Sequence, residues 1–294
     1  MVLGDPRGIG PEVVAKALRQ SPLAADVVAI GADEQVATIP AIARLGVGTW
    51  GPGDAGDAAA GRIAADAIKK AVTLALGHEV DAIVTGPVHK AGLHAAGVRF
   101  PGVTEFLGSL ASGAETAMML VAGALRVVLV TTHLPLRDVP AALTRERVVR
   151  AGRITGRALT EWFGIAAPRL AVCALNPHAG ESGLFGDEDD RVLAPAAREL
   201  GAAGPLPADT VFVRALRGEF DAVLAPYHDV GMTAVKVAGF GSGVNVTLGL
   251  PFPRTSPDHG TAFDIAGKGV ADAGSMRAAL ELAVVLATRN KKPE

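Results

Sequence analysis

The sequence predicts an α/β fold with mostly parallel sheets, and three observations carry that prediction. Runs of mostly aliphatic residues, LRVVLV (125–130), RLAVCAL (169–175) and DAVLAP (221–226), each stop at a polar turn, the pattern of strands buried on both faces. Between such runs lie alanine-rich amphipathic segments long enough for helices, and alternation of the two argues for an α/β architecture. No internal repeat and no long linker breaks the alternation.

In chain order, three residues precede the GDP motif at Gly4, too few for a full strand, which points to a misassigned start or a trimmed first strand. PEVVAKALRQ (11–20) reads as the first helix. Residues 31–58 are Gly-rich and Pro-containing and read as an irregular surface excursion. AGRIAADAIKKAVTLAL (60–76) is the next helix, and His78 just beyond it resembles a helix end with no chemistry attached. AMMLVAGALRVVLV (117–130) is the most apolar stretch, yet it contains Arg126 and is too short to span a bilayer. TRERVVRAGRITGRALTEWF (144–163) and GSMRAALELAVVLATR (274–289) complete the strong helical patterns.

At 294 residues the chain can bury a large core, as one large or two ordinary domains. Its 28 basic and 30 acidic residues are spread along the chain, for a net charge of -2, and leave no electrostatic footprint for nucleic acid or an anionic membrane. Cys173 is the single cysteine, so no intrachain disulfide forms; its place in RLAVCAL reads as a small buried hydrophobe. MVLGDP lacks the basic and apolar regions of an export signal, and a cytoplasmic location is expected.

Chemistry concentrates in residues 226–267, PYHDVGMTAVKVAGFGSGVNVTLGLPFPRTSPDHGTAFDIAG, where histidines, acids, a lysine, an asparagine and an arginine stand among glycines and β-branched residues. That composition suits an active-site wall. His133, His178 and His228 each follow an apolar run, and the carboxyl ends of parallel strands are where α/β proteins bind ligands. They lie 45 and 50 residues apart, and three such strand ends could converge on one point. Alone, a histidine after a strand is more often a hydrogen-bonded structural residue. Three neutral imidazoles suit zinc, cobalt, nickel or iron and leave open positions for substrate oxygens. Lys236 and Arg254 sit in apolar, glycine-rich text and read as anion-binding groups, with solvated surface charges as the alternative. GDPRGIGPE has the wrong glycine spacing for an ordinary Rossmann dinucleotide site.

GDPRGIGPEV (4–13), VTGPVHKAGLHAAGV (84–98), PGVTEFL (101–107), TTHLPLRDVP (131–140), NPHAGESGLFG (176–186), GPLPADTVF (204–212) and the long block above, in that order, resemble the 4-hydroxythreonine-4-phosphate dehydrogenase family, PdxA. The resemblance runs from residue 4 to about residue 272. It implies two α/β/α domains like those of the isopropylmalate and isocitrate dehydrogenases, with the active site in the interdomain cleft. The first would comprise residues 1–112 plus 237–294, with the cofactor loop and substrate contacts, and the second residues 113–236, with the metal histidines. It also implies a homodimer whose two chains share each active site.

The resemblance assigns His133, His178 and His228 to one divalent cation, zinc, cobalt, magnesium or similar, with ligands shared across the dimer. It assigns Thr104, Lys236, Asn245 and Arg254 to a small phosphorylated hydroxy-acid substrate. DHGTAFDIAGKG also resembles the cofactor loop of isopropylmalate and isocitrate dehydrogenases, which gives His259, Gly260, Thr261 and Asp264 to NAD, with NADP still open. The plain alternative is that Thr261 caps a helix ending at Gly267 or Gly269. Asp209, Asp229 and Lys90 are the catalytic candidates: the two acids for proton handling or ligand support, with loop and cap hydrogen bonds as the alternative, and Lys90 as a residue expected to line the cleft. His89 replaces a common asparagine, and His94 reads as solvated.

Two departures bear on substrate. Val103 stands where the family usually has histidine and Val230 where it usually has glutamine. Each loses a hydrogen bond worth roughly 1–3 kcal/mol to a buried polar partner. Either the substrate presents a different group there, or Arg99 or His94 reaches in. The implied reaction is NAD- and metal-dependent oxidation and decarboxylation of 4-phosphooxy-L-threonine to 3-amino-2-oxopropyl phosphate, for pyridoxal phosphate synthesis. The alternatives are 4-phospho-D-threonate or 4-phospho-D-erythronate oxidation and, in another class, a three-histidine metal hydrolase or lyase without NAD.

Overall fold

The computed structural model describes residues 1–51, 56–239 and 241–290. Ten strands run through the described residues: β1 (Val28–Gly31), β2 (Ala43–Gly46), β3 (Ile83–Val84), β4 (Ala117–Ala122), β5 (Leu125–Leu129), β6 (Leu170–Cys173), β7 (Ala203–Leu206), β8 (Ala222–Ala225), β9 (Val244–Leu248) and β10 (Arg254–Pro257). They fall into two compact units, Met1–Glu115 with Leu250–Glu294, and Thr116–Gly249.

The first unit is parallel throughout. β1 pairs with β2 and β3 with β10, and Val2 bridges both Ile30 and Thr85, so the short N-terminal segment joins the two pairs. Val2 donates to the Val84 carbonyl at 2.8 Å and accepts from Gly86 at 2.7 Å, and Leu3 donates to Ile30 at 2.9 Å. Three residues therefore do the hydrogen bonding of an inner strand. The helix Asp57–Leu76 buries Ala60, Ile63, Ala64, Ala67, Ile68 and Ala71, spaced at helical intervals. Its small side chains permit close approach to the helix Lys90–Ala95, where a Cβ at Gly61 would collide with the Gly92 carbonyl. The stretch 31–51 is not the irregular excursion expected: it holds the turn of helix Asp33–Val36 and the strand β2, while residues 52–55 lie outside the described residues. Four residues of alternating burial, between Pro40 and Gly48, are too short a signal for periodicity to register.

The second unit carries a mixed sheet in the order β9-β4-β5-β8-β6-β7. β4 runs antiparallel to β9 and β5, and β5, β8, β6 and β7 are mutually parallel. The apolar stretch 117–130 is thus a hairpin turning at Gly123, whose φ is 56°. Residues 237–239 and 241–249 lie in this unit rather than the first, because β9 pairs along its length with β4. Leu125, Val127, Cys173, Val211, Val223 and Val235 form its core cluster, each fully buried aliphatic side chain contributing roughly 1.5–3 kcal/mol. The helix Arg145–Glu161 opens at Thr144, whose hydroxyl accepts from the Arg147 amide at 3.3 Å. No helix among the described residues is long and apolar enough to cross a membrane.

Candidate active site

In the second unit, β5 and β8 are parallel neighbours in register, Leu129 opposite Ala225, so the residues after their carboxyl ends emerge side by side. His133 follows β5 and His228 opens the helix His228–Ala238 after β8; their ring centroids are 5.6 Å apart. The Thr131 hydroxyl donates to the Pro226 carbonyl at 2.7 Å and ties the two strand ends together. Gly231 lets the helix start close to the sheet, since a Cβ there would press on the Leu129 side chain. His133 has φ of 49°, a left-handed conformation that costs a non-glycine residue of order 1 kcal/mol or more and tends to occur at functional sites.

The His228 Nδ1 lies 2.7 Å from Asp229 Oδ1. A carboxylate accepts, so Nδ1 is the donor, and in the neutral ring Nε2 is then the nitrogen with the lone pair that a metal-ligating imidazole needs. A cavity of about 230 Å³ opens here, lined by Thr131, His133, Leu136, Val139, Tyr227 and His228. Burial pushes the Tyr227 phenol above its ordinary pKa, which keeps it a hydrogen-bond donor.

His178 does not join this pair. It stands after β6 in the turn Pro177–Gly180, with φ of 52°, its side chain 67% exposed and 4.0 Å from Glu181. Among the described residues no group of three His, Cys, Asp or Glu side chains assembles as a metal centre. Within one chain the ends of β5 and β8 bring His133 and His228 together, and the loop that follows β6 leaves His178 exposed, an arrangement that fits ligands shared between two copies. That loop is anchored by Asp189, fully buried, which accepts from the amides of Leu175 at 2.9 Å and Asn176 at 3.0 Å.

Of the other candidates in this unit, Asp209 is exposed in the first turn of the helix Ala208–Leu216. Lys236 is exposed near the end of the helix that His228 begins, about 12 Å further along its axis. Asn245 is half-buried on β9, and its Oδ1 is buried with no hydrogen-bond partner among the described residues, an acceptor waiting for a donor.

In the first unit, the segment 258–269 forms turns and not a helix, which removes the capping role considered for Thr261. Its carbonyl instead accepts from the Ile9 amide at 3.0 Å, and Gly8 has no room for a Cβ beside it. His259 Nδ1 lies 3.1 Å from the Gly260 carbonyl, while its Nε2 is buried without a partner among the described residues. Asp264 is exposed. Arg254 is buried on β10, donates to Thr85 Oγ1, and burial lowers its pKa to about 10. A cation so deeply placed suits an anionic ligand. Thr104 is buried in the first turn of the helix Val103–Leu110, and Lys90 is exposed at the start of its own helix. A Cβ at Gly102 would lie 3.9 Å from the Lys90 Cε, so Lys90 borders the entry to Thr104's helix.

Arg99 and His94 were the candidates to stand in for the residues lost at 103 and 230. The His94 Nε2 is engaged with the Phe100 carbonyl at 2.8 Å, and Arg99 is exposed. Val103 packs against the core cluster of the first unit and Val230 against that of the second.

Sequence reasoning missed a charged cluster in the first unit. Arg7 forks onto Asp5, with Nε 3.0 Å from Oδ1 and Nη2 2.8 Å from Oδ2, reaches Asp57 at 2.5 Å, and lies 3.3 Å from His89 Nδ1. The Asp5 hydrogen bond is the largest cause holding the Arg7 pKa above its ordinary value. The available signal was an arginine between two turn-forming glycines in GDPRG, next to a buried aspartate. Asp189 was missed because a buried acid in an acidic run looks like a solvated charge.

Residues 9–283 match the family model described as Pyridoxal phosphate biosynthetic protein PdxA. The chain belongs to the PdxA family. A 4-hydroxythreonine-4-phosphate dehydrogenase of Beijerinckia indica is 41% identical, covering 100% of this chain and 95% of its own. A D-threonate 4-phosphate dehydrogenase of Cupriavidus necator is 43% identical over 98% of this chain and 97% of its own. A crystal structure of a PdxA relative, the 4-hydroxythreonine-4-phosphate dehydrogenase of Klebsiella pneumoniae, superposes with TM-score 0.86 at 38% identity, covering 97% of this chain and 98% of that one. PdxA relatives of similar identity thus carry two substrate names, and both are dehydrogenases.

Proposed function

We propose that this chain is an NAD-dependent dehydrogenase that requires a divalent metal, oxidising 4-phosphooxy-L-threonine and decarboxylating it to 3-amino-2-oxopropyl phosphate. The observation that carries the reading is the His133–His228 pair at adjacent strand ends, with His228 held by Asp229 in the tautomer that frees Nε2. That nitrogen with the His133 ring beside it fits a divalent cation of the zinc or cobalt class, and His178 of a second copy would complete the set in a homodimer. A bound cation would supply Lewis acidity at the reacting oxygen, and a bound nicotinamide would supply the hydride acceptor.

The remaining residues act on the substrate's ends. Arg254 and Lys236 neutralise phosphate or carboxylate, Thr104 and the orphaned Asn245 carbonyl contribute hydrogen bonds, and Lys90 adds positive charge near Thr104. Fixing the phosphate far from the reacting carbon holds the alcohol carbon in place for both steps. Asp209 and Asp229 are the available proton carriers, with Asp229 also orienting His228. His259, Gly260, Thr261 and Asp264 present the dinucleotide site, Asp264 as acceptor for ribose hydroxyls.

A second reading is favoured by the two valines. Both are engaged in apolar packing and the His94 ring is held by the Phe100 carbonyl, which suits 4-phospho-D-threonate, where a hydroxyl stands in place of the amine. The test is NADH absorbance from chelator-stripped enzyme, with and without restored zinc, cobalt or magnesium, on each phosphorylated substrate. Metal-dependent NADH formation is expected; equal rates before and after metal removal, or no NADH with any substrate, would sink the proposal.

A further inference from the structure

The loop 258–271 has no regular structure of its own, so something outside it must hold its shape. At its far end Lys16 Nζ donates to the carbonyls of Gly269 at 2.8 Å and Ala271 at 2.7 Å, and Glu12 accepts from the Ala271 amide at 2.9 Å. At its near end the Ile9 amide holds Thr261. Between these fastenings Ala262 has φ of 43° and Gly267 of 74°, and Phe263 lies 41% exposed.

Phe263 has two neighbours across the loop. The Arg7 guanidinium carbon sits 5.0 Å from its ring centroid, and the His89 ring meets it edge-on at 5.1 Å. Arg7 cannot swing away, because Asp5 grips it through both Nε and Nη2 and Asp57 through Nη1. A guanidinium locked in its plane presents a fixed face for an aromatic ring, and cation–π attraction then favours one position of the ring. The three groups come from the GDPRG turn, the N-cap of the helix that begins at Lys90, and the loop.

We infer that Arg7, His89 and Phe263 form a clamp that fixes the loop carrying His259, Gly260 and Asp264, making Phe263 a positioning residue for dinucleotide binding. The inference rests on the dehydrogenase reading for the identity of the ligand, and on contacts within the first unit for the clamp itself. Lys16 and Glu12 secure one end whether or not the clamp is present, so loss of the clamp loosens the near half of the loop alone.

The experiment compares Phe263→Leu and Phe263→Tyr with the wild-type full chain. Leucine removes the π face while leaving Asp5, Arg7 and Asp57 paired, so the fold is not put at risk; tyrosine restores the ring. Phe263→Leu is expected to raise the KM for NAD+ about three- to tenfold, the scale of one lost cation–π contact. The kcat and the KM for the phosphorylated substrate stay unchanged, and Phe263→Tyr returns the NAD+ KM to the wild-type value. Amide hydrogen exchange at 258–265 quickens in Phe263→Leu. Unchanged NAD+ KM overturns the inference, as does a rise in KM for both substrates together. Should the wild-type enzyme reduce no dinucleotide, the dehydrogenase reading fails separately, and the clamp stands or falls on whether exchange quickens.

Discussion

His228 and Asp229 are adjacent in sequence, yet only the start of a helix after β8 turns the ring back so that Nδ1 meets the carboxylate at 2.7 Å. Asp229→Asn removes the charge that fixes this tautomer, and a loss of about 10-fold or more in metal affinity is expected, measured by metal titration of the stripped protein. Affinity equal to wild type would assign Asp229 to solvent. Cys173 illustrates the opposite case. Burial, with Asp189 adding a smaller effect, pushes its thiol up to about 12, so at pH 8 it stays protonated as well as inaccessible. No labelling by a thiol reagent is expected in the native protein, and one equivalent after denaturation; rapid native labelling would contradict its burial. Val103→His tests the substrate choice: it should raise kcat/KM for 4-phosphooxy-L-threonine relative to 4-phospho-D-threonate, at a stability cost of about 1 kcal/mol from disturbed apolar packing. An unchanged ratio would place position 103 outside the substrate site.

At the scale of elements, the loop 258–271 is held by charge as well as by the Phe263 ring. The Glu12 carboxyl lies below its ordinary 4.5, first through its hydrogen bond to Lys16 and then through the amides of Ala271 and Gly269. A depressed folded-state pKa gives stability that is present above 4.5 and lost as pH falls through the lower folded value. Glu12→Gln is therefore expected to melt below wild type near neutrality, with the gap closing as pH drops below 4.5. A gap that stays constant down to acid pH would show that the carboxylate's charge is not what fastens the loop. The long elements were legible for a simple reason: LRVVLV, RLAVCAL and DAVLAP became β5, β6 and β8, and the helical patterns at 11–20, 60–76, 144–163 and 274–289 all formed. β2, β7 and the hairpin partner β9 were not, since four or five residues with glycine or proline nearby carry no periodicity, and their strand character comes from neighbours.

For the whole molecule, family and fold class were readable because long motifs lie in a fixed order along 294 residues. Side-chain assemblies were not: the pairing of His133 with His228 depends on strand order, the separation of His178 on the turn after β6, and the Arg7 cluster gathers residues more than 80 positions apart. If His178 of a second copy completes each site, mixing His178→Ala and His228→Ala subunits should restore activity that neither has alone. Random pairing makes half the dimers mixed with one intact site each, so about a quarter of wild-type activity is expected. No recovery would place all three histidines' work within one chain. The central claim is that one site both oxidises and decarboxylates a phosphorylated four-carbon hydroxy acid. Its most direct measurement uses substrate labelled with ¹³C at the carboxyl carbon and follows NADH and labelled carbon dioxide in the same metal-restored reaction. The account predicts one carbon dioxide per NADH at every time point; NADH without carbon dioxide, or carbon dioxide without NADH, would contradict it.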